Sequence, residues 1–278
     1  MRLSGNNLAL SYESVVVTTD LTVEIPDGKI TVLIGPNGCG KSTTLRALAR
    51  LLKPKGGGVV LDGKDIHSYS TKEVARRLAL LPQVLITPEA ITVRELVAYG
   101  RHPQRRSVAG LRDEDREAID WALRVTGTTE LADRPVDQLS GGQRQRAWVA
   151  LVLAQGTDLI LLDEPTTFLD IAYQLEVLEL LRQLNLQQGK TIVMVLHDIN
   201  MAAEYAHHLF AMKSGQIVAQ GAPKEIICRE LVREVFGIDS HILVHPDTDN
   251  PLCVPIPEPG HVPSDDEDAD RELSAPVG

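Results

Sequence analysis

Residues 30–43, ITVLIGPNGCGKST, join a short and mostly apolar run to a glycine-rich loop that ends in Lys41 and Ser42. The loop fits the spacing G-x-x-x-x-G-K-[ST], and the residues after it have a helical pattern. Glycines allow backbone N–H groups to converge on phosphate oxygens, and the following helix presents its positive N-terminal end. Strand, loop and helix in this order predict the phosphate-binding loop of a P-loop NTPase rather than an ordinary glycine-rich turn.

Two side chains of this loop have specific roles in that prediction. Lys41 reaches the outer phosphates of ATP, and Ser42 coordinates the accompanying Mg²⁺. We expect the loop to contact the nucleotide through nine consecutive residues, which are Gly35, Pro36, Asn37, Gly38, Cys39, Gly40, Lys41, Ser42 and Thr43.

Cys39 lies inside the loop, two residues before Lys41. Backbone amides, a helix N-terminus and the lysine ammonium all favour a thiolate over a thiol. We therefore expect Cys39 to react before Cys228 and Cys253, unless its side chain packs inward as a small apolar group. The odd number and wide spacing of the cysteines predict neither a disulfide framework nor a metal site.

A second apolar run, residues 159–162, is followed directly by Asp163 and Glu164. An apolar strand that ends in two acids is common and mostly structural, but after a phosphate-binding loop it predicts a site. In such a site Asp163 lies near Mg²⁺, together with Ser42. Glu164 faces the attacking water as general base.

Residues 139–143, LSGGQ, give the third signal. Ser140 caps the helix that follows, and with the amides of Gly141 and Gly142 it forms another anion cradle. Two phosphate cradles with only one lysine-bearing loop indicate a composite site. The alternative interpretation of residues 139–143 is an ordinary serine-capped helix. The pattern, which ends at Gln143, resembles the signature sequence of ABC ATPases, in which the two cradles come from opposite subunits of a head-to-tail dimer.

Four further residues follow in the order of the ABC family, and the resemblance implies a role for each. Tyr12 stands at the place of the aromatic residue that stacks on adenine, and Asp170 at that of the loop that crosses the dimer interface. Gln83 matches the glutamine that touches Mg²⁺ and the attacking water. His197 matches the histidine that contacts the γ-phosphate. Each residue alone would more often be structural, and the shared order supports the functional interpretation.

Within the ABC family, residues 1–245 look most similar to the ATPases of bacterial ferric-siderophore importers. The resemblance is carried by YGRHP at 99–103, QRQRAW at 143–148, PTTFLDI at 165–171 and VLHDIN at 195–200. One departure is a phenylalanine at 168, where this subgroup usually has tyrosine. The subgroup also serves cobalamin and haem importers, so these cargoes stay open beside an iron(III)-siderophore.

The resemblance implies a peripheral protein on the cytoplasmic face of the cell membrane. Two copies bind ATP and Mg²⁺ as a homodimer beneath two transmembrane permease subunits, which an extracytoplasmic substrate-binding protein supplies with cargo. ATP binding closes the dimer, and hydrolysis reopens it.

The intervals between motifs test other classes of ABC ATPase. A chromosome-maintenance ATPase would carry a long coiled coil between Lys41 and Ser140, and this short interval has no heptads. A protein with duplicated cassettes would contain a second phosphate-binding loop, which the sequence lacks. A soluble ABC ATPase of iron–sulfur cluster assembly stays an alternative, because it also consists of one short cassette.

Apolar runs of strand length alternate with helical stretches, which predicts an α/β fold. We expect residues 1–245 to form a P-loop NTPase domain with a mainly parallel sheet, an N-terminal antiparallel β subdomain and an inserted α-helical subdomain at about 89–154. Residues 246–278 contain seven prolines and an acidic run. Because this segment has no hydrophobic face to bury, we expect a largely disordered tail.

The net charge of −10 is concentrated near the C-terminus, where residues 247–278 hold nine acidic residues against one arginine. The remaining chain is close to neutral and lacks the basic face expected of a nucleic-acid binder. The basic cluster of Arg101, His102, Arg105 and Arg106 is interpreted as a solvated face or a docking surface for the permease. No apolar run reaches the roughly 18 to 20 residues that span a bilayer.

Overall fold

The computed structural model describes residues 1–13, 15–86, 90–105 and 110–257. The strands in these ranges are, in chain order, β1 Leu3–Tyr12, β2 Val15–Ile25, β3 Ile30–Ile34, β4 Gly56–Leu61, β5 Lys64–Asp65, β6 Leu78–Leu81, β7 Leu159–Asp163, β8 Thr191–Val195, β9 His208–Lys213, β10 Gln216–Gly221, β11 Ser240–Val244 and β12 Pro251–Pro255. The helices in the same ranges are α1 Lys41–Leu48, α2 Thr71–Arg77, α3 Val93–Tyr99, α4 Asp113–Val125, α5 Gly141–Ala154, α6 Ile171–Gln188, α7 Ile199–Tyr205, α8 Pro223–Ile226 and α9 Arg229–Phe236. Among the described residues, no helix is long and apolar enough to cross a membrane.

The central sheet has the strand order β10-β9-β3-β8-β7-β6. Strands β9, β3, β8, β7 and β6 run parallel, and β10 pairs antiparallel with β9 at one edge. Strand β3 lies between β8 and β9, where Leu33 is in register with Val195 on one side and Phe210 on the other. All five residues of β3 are buried, as expected for a parallel strand that is covered on both faces. The mainly parallel sheet expected from the sequence is confirmed.

Strand β3 supplies side chains to two hydrophobic cores, because successive residues of a strand point to opposite faces. Ile30, Val32 and Ile34 belong to the core that the sheet shares with α3, α4 and α5. Leu33 belongs, with Phe210, to the core beneath the N-terminal sheet. The strand that leads into the glycine-rich loop is therefore fixed from both sides.

The N-terminal subdomain is an antiparallel sheet with the order β2-β1-β4-β5. Its buried face, which includes Leu8, Leu10 and Val59, packs in the same core as Leu45 and Leu48 of α1. The antiparallel subdomain is thus confirmed, and it covers the helix that begins at the phosphate loop.

The helical subdomain lies between β6 and β7, and its described residues form α3, α4 and α5 together with two short 3₁₀ turns. The inserted helical subdomain is therefore present, although residue 89, its expected first residue, lies outside the described residues. The basic cluster differs from expectation, because Arg101 is only 12% exposed and pairs with the fully buried Asp115 at 2.9 Å. Arg101 also donates to the Ala154 carbonyl at 2.8 Å, so it belongs to the interior. Arg106 lies outside the described residues.

The expected domain boundary at residue 245 falls inside a β-hairpin, since β11 and β12 pair antiparallel. The side chain of Asn200 on α7 holds this hairpin through the backbone of Cys253. Its Nδ2 donates to the Cys253 carbonyl at 3.1 Å, and its Oδ1 accepts the Cys253 N–H at 2.7 Å. The folded part thus extends into the segment that was expected to be a tail, and residues 258–278, with most of the acidic run, lie outside the described residues.

Candidate nucleotide site

The residues predicted for the site follow the carboxyl ends of neighbouring parallel strands. The glycine-rich loop follows β3, whereas Gln83 follows β6, Glu164 follows β7 and His197 follows β8. These strand ends meet at one edge of the sheet, which is where open α/β sheets bind ligands. The three side chains and the glycine-rich loop line one cleft of about 360 Å³, to which Val17 also contributes.

The glycine-rich loop requires glycine at two sharp turns of the backbone. Gly35 has a φ of 146°, and a Cβ at this residue would lie 2.1 Å from the carbonyl oxygen of Met212. Gly40 has a φ of 107° and stands immediately before α1, where it turns the chain into the helix. Residues with a side chain rarely adopt these angles, so the loop geometry explains both glycines.

Lys41 is the first residue of α1 and is only 5% exposed. Its ammonium donates to the carbonyl oxygens of Gly35 at 2.7 Å and Pro36 at 2.9 Å. These contacts hold a positive charge against the loop and next to the N-terminal end of a helix. Both features attract the phosphates of a nucleotide.

Asp163 ends β7 and is 1% exposed. Its Oδ1 accepts a hydrogen bond from Ser42 Oγ at 2.7 Å. Burial raises the pKa of this carboxyl, although the Ser42 hydrogen bond and the Arg46 guanidinium act in the opposite direction. Oδ2 is buried and makes no hydrogen bond among the described residues, because Arg46 Nε is 4.0 Å away.

A buried carboxylate oxygen that accepts no hydrogen bond from the described residues, beside a serine hydroxyl, suits a small hard cation. Mg²⁺ prefers oxygen ligands and usually binds through one or two protein groups together with substrate phosphates. In the described ranges, no group of three or more His, Cys, Asp or Glu residues could hold a metal ion by itself. The donors Ser42 and Asp163 therefore fit Mg²⁺ only with phosphate oxygens that complete its coordination.

Glu164 has three neighbours that orient its carboxylate. Oε1 lies 2.9 Å from Gln83 Nε2, which donates to it, and 2.8 Å from His197 Nε2. Oε2 accepts a hydrogen bond from Thr167 Oγ1 at 3.1 Å. A carboxylate offers about four acceptor positions, so about one is left for a water molecule.

Gln83 and His197 thus contact the carboxylate of Glu164, whereas the resemblance implied contacts with Mg²⁺, water and the γ-phosphate. Both side chains are exposed and line the cleft beside Lys41 and Ser42. Thr167 was not singled out from the sequence, although its spacing of three residues from Glu164 in a turn was a possible signal.

Arg46 is a second residue that the sequence analysis missed. It lies one helical turn after Ser42 on α1, so a spacing of i, i+4 would have placed both on one helix face. Its Nη1 donates to the Tyr12 hydroxyl at 3.1 Å. Arg46 therefore connects the residue predicted to stack on adenine with Asp163, the residue predicted to lie near Mg²⁺.

The signature sequence lies on the helical subdomain and away from Lys41. Ser140 Oγ accepts the N–H of Gln143 at 3.2 Å, and Gln143 Oε1 accepts the N–H of Ser140 at 3.1 Å, which forms a capping box for α5. Ser140 and Gly141 are exposed, and neither lines the cleft that contains Lys41. The residues predicted to form the second phosphate cradle therefore face outward.

Asp170, which was predicted to reach the dimer interface, is exposed and caps α6. Its Oδ1 accepts the N–H of Tyr173 at 3.1 Å. Two residues before it, Phe168 is 79% exposed. This turn therefore presents both a carboxylate and an aromatic ring on the surface.

The expectation that Cys39 reacts before the other two cysteines is wrong for this conformation. The side chain is 3% exposed and belongs to the core beneath the N-terminal sheet. Burial raises the pKa of the thiol, and this effect exceeds the opposite effect of Lys41 and the backbone amides. Cys253 is also buried, in β12, so Cys228 is the exposed cysteine among the three.

Comparisons with known proteins agree with this geometry. Residues 18–167 match the family described as ABC transporter. The ferric enterobactin transport ATP-binding protein of Escherichia coli (strain K12) is 55% identical over 92% of this chain and 94% of its own length. The iron(3+)-hydroxamate import ATP-binding protein of Bacillus subtilis (strain 168) is 50% identical over 91% of this chain and 94% of its own length. A dimeric structure of a bacterial ABC transporter cassette has a TM-score of 0.73 and 28% identity, and covers 79% of this chain and 98% of that one.

Proposed function

The chain belongs to the ABC transporter family of ATP-binding proteins, and on that premise we propose that it hydrolyses ATP to power import of an iron(III)-siderophore-type cargo. One observation carries the enzymatic part of the proposal. Lys41, Ser42 and Glu164 line a single cleft at the carboxyl edge of the central sheet, and Ser42 is bonded to Asp163, whose buried Oδ2 accepts no hydrogen bond from the described residues.

ATP binds with its phosphates on the glycine-rich loop. Lys41 and the helix N-terminus neutralise phosphate charge, and the Tyr12 ring at the end of β1 stacks on the adenine. Ser42 Oγ and Asp163 Oδ2 are the donors that would hold Mg²⁺, which when bound neutralises further charge on the phosphates.

Glu164 acts as the general base in hydrolysis. It accepts a proton from the attacking water while the bond between the γ-phosphorus and its bridging oxygen breaks, which leaves ADP and phosphate. The carboxylate is held in one orientation by its contacts with Gln83, His197 and Thr167. The Glu164 side chain therefore loses less conformational freedom when the attacking water aligns with it. The ring of His197 is also exposed and lines the cleft beside Lys41, so the same side chain is placed to contact the γ-phosphate as the site closes.

The complete site is composite, with the glycine-rich loop from one subunit and Ser140, Gly141, Gly142 and Gln143 from the other. Support comes from the exposure of Ser140 and Gly141 and from their separation from the Lys41 cleft. The exposed Phe168 and Asp170 lie in the turn that would cross between the subunits. ATP between the two cradles joins a head-to-tail homodimer, and its cleavage releases the subunits.

The cargo and the partners follow from the relatives. Two of them, at 50% and 55% identity, are named for iron(3+)-hydroxamate import and ferric enterobactin transport. These names favour an iron(III)-siderophore over cobalamin or haem, and an importer over an ATPase of iron–sulfur cluster assembly. In such an importer, two copies of this chain sit on the cytoplasmic face beneath two permease subunits that receive cargo from an extracytoplasmic binding protein.

Uptake of radiolabelled iron tests the proposal in a strain from which the gene is deleted. We expect the wild-type chain to restore uptake from an iron(III)-siderophore, and a Lys41→Ala variant at the same protein level to restore none. Restoration of cobalamin or haem uptake alone would contradict the cargo. Restoration by Lys41→Ala would contradict ATP-driven transport.

A further inference from the structure

Gln145 makes a buried connection between the signature helix and the segment that carries Glu164. It lies five residues after Ser140 on α5 and is 5% exposed. Its Nε2 donates to the carbonyl oxygen of Pro165 at 3.1 Å. Because Pro165 directly follows Glu164, this bond reaches the chain one residue beyond the general base, and it comes from the other subdomain.

The backbone of Glu164 needs such support. Its φ of 56° lies in the left-handed region, which residues other than glycine seldom occupy. A strained conformation persists where neighbouring structure fixes it. On the N-terminal side, Asp163 of β7 is in register with Val195 of β8. On the C-terminal side, Gln145 holds the carbonyl of Pro165, which lies one peptide beyond the Glu164–Pro165 bond.

Further contacts join the start of α5 to the segment after Glu164. A Cβ on Gly142 would lie 3.2 Å from Leu169 Cδ2, so the helix start approaches this turn closely. The guanidinium of Arg146 lies over the ring of Tyr173 at 4.2 Å from its centroid. A displacement of the signature helix is therefore transmitted to the turn that begins at Glu164.

From this arrangement, and resting on the proposed function, we infer that Gln145 is a positioning residue that aligns Glu164 with the signature helix of the same subunit. In the head-to-tail dimer, Ser140 and Glu164 of one subunit serve different ATP molecules. Binding of one ATP at Ser140 therefore aligns the general base for the other ATP. Gln145 thus couples the two sites within each subunit.

The first test removes the hydrogen bond with a side chain of similar length, Gln145→Met. We expect kcat for ATP hydrolysis to fall about tenfold with KM changed less than about twofold, because alignment is lost and nucleotide binding is kept. The Hill coefficient for ATP should fall to about one, since the coupling between the sites is lost.

Gln155→Met is the matched control, because Gln155 is also buried and its Nε2 donates to the carbonyls of Ala75 and Leu78, at the opposite end of α5. We expect the control to lower the melting temperature at least as much as Gln145→Met and to leave the Hill coefficient unchanged. Equal loss of cooperativity in both variants would overturn the inference, since it would show a general effect of a loosened helix.

A mixed dimer tests whether the effect depends on ATP at Ser140. One subunit carries Ser140→Arg and the other Lys41→Ala, so that the single intact site takes Glu164 from the first subunit and Ser140 from the second. Because Ser140→Arg keeps ATP from the signature helix of the first subunit, the alignment of its Glu164 by ATP is already lost in this dimer. We therefore expect added Gln145→Met to change turnover by less than about twofold in either subunit, in contrast to the roughly tenfold loss in the wild-type dimer. A further fall of about tenfold in either subunit overturns the inference alone, since the bond would then act without ATP at Ser140. A wild-type protein without ATPase activity overturns the proposed function and the inference with it.

Discussion

The two phosphate cradles of this molecule differ in how much of their surroundings one subunit provides. The glycine-rich loop has a buried lysine, and its neighbour Ser42 is bonded to Asp163 of β7. The predicted signature cradle has an exposed serine at the start of α5, whose side chain accepts a hydrogen bond in its own capping box. The first cradle is built into the core, and the second is presented on the surface.

In the proposed mechanism this difference separates binding from catalysis. One subunit brings Lys41, Ser42 and Asp163 together, and we propose that it suffices for nucleotide binding. Turnover in this proposal requires the exposed Ser140 of a second subunit, which ATP brings into place. The predictions below address this division, in order of decreasing effect.

The largest effect is expected for Glu164→Gln, which removes the base and leaves both cradles intact. Loss of a general base costs about 10² to 10⁴ in rate, so hydrolysis should nearly stop while ATP binding continues. The variant should accumulate as a dimer on gel filtration with ATP and Mg²⁺. Unchanged phosphate release would remove Glu164 from the mechanism.

Ser140→Arg should abolish dimer-dependent turnover, because a long cation fills the exposed cradle. Nucleotide affinity of the isolated subunit, measured with a fluorescent ATP analogue, should change by less than about threefold, since each composite site would be broken only on its signature side.

Ser70→Arg is the matched control for Ser140→Arg, because Ser70 forms the same capping box at the start of α2. It should cost about 0.5 to 2 kcal/mol of stability through the lost cap and leave turnover intact. If both arginine variants lost activity equally, the effect would be one of capping and not of the phosphate cradle.

Asp163→Asn should separate stability from function within the first cradle. Because burial raises the pKa of Asp163, the folded state binds a proton more tightly than the unfolded state. The stability that the protonated Asp163 carboxyl contributes is fully present at a pH below its pKa in the unfolded chain. This stability is lost as the pH rises through its pKa in the folded protein. At neutral pH without nucleotide, the variant should therefore melt about 2 to 4 °C higher, which corresponds to about 1 kcal/mol.

The gain in melting temperature for Asp163→Asn should shrink as the pH falls toward the ordinary aspartate pKa of about 4. ATP hydrolysis by the variant should be lost at every pH. A lower melting temperature at neutral pH would show that the ionised carboxylate stabilises the fold instead.

The smallest effect concerns the cysteines of the nucleotide-free protein. Cys228 is exposed, whereas Cys39 and Cys253 are buried, so maleimide should label Cys228 first. Peptide mapping measures the three rates, and Cys228→Ser serves as the control. Rapid labelling of Cys39 with protection by ATP would show that the first cradle opens more readily than its burial indicates.

Motifs with fixed local spacing could be predicted from the sequence. The glycine-rich loop, the strand that ends in Asp163 and the capped helix after Ser140 each depend on neighbouring residues, and the structure has all three. The carboxyl edge of the parallel sheet then brings Gln83, Glu164 and His197 together, as the strand order requires.

Contacts between distant segments could not be predicted in the same way. The bond from Gln83 to Glu164 depends on β6 lying beside β7, and the contact of Arg46 with Asp163 depends on how α1 sits on the sheet. The burial of Cys39 depends on the N-terminal sheet that covers it. Electrostatics of the loop alone therefore gave the wrong expectation for its reactivity.

The C-terminal hairpin was missed for a similar reason. Prolines and acidic residues after 245 indicated an extended segment, but the backbone of Cys253 is held by Asn200, which is 53 residues away in sequence. A side-chain amide that pairs with both backbone groups of one residue leaves no local pattern in either segment.

The composite site is tested most directly by mixing two inactive variants, Lys41→Ala and Ser140→Arg. Random pairing makes about half of the dimers mixed, each with one intact site, so activity should return to at most about one quarter of the wild-type value. Copurification of a tagged variant with its untagged partner in the presence of ATP measures pairing independently. Mixed dimers that form and show no turnover would contradict the account, because each intact site would then contain every residue that it requires.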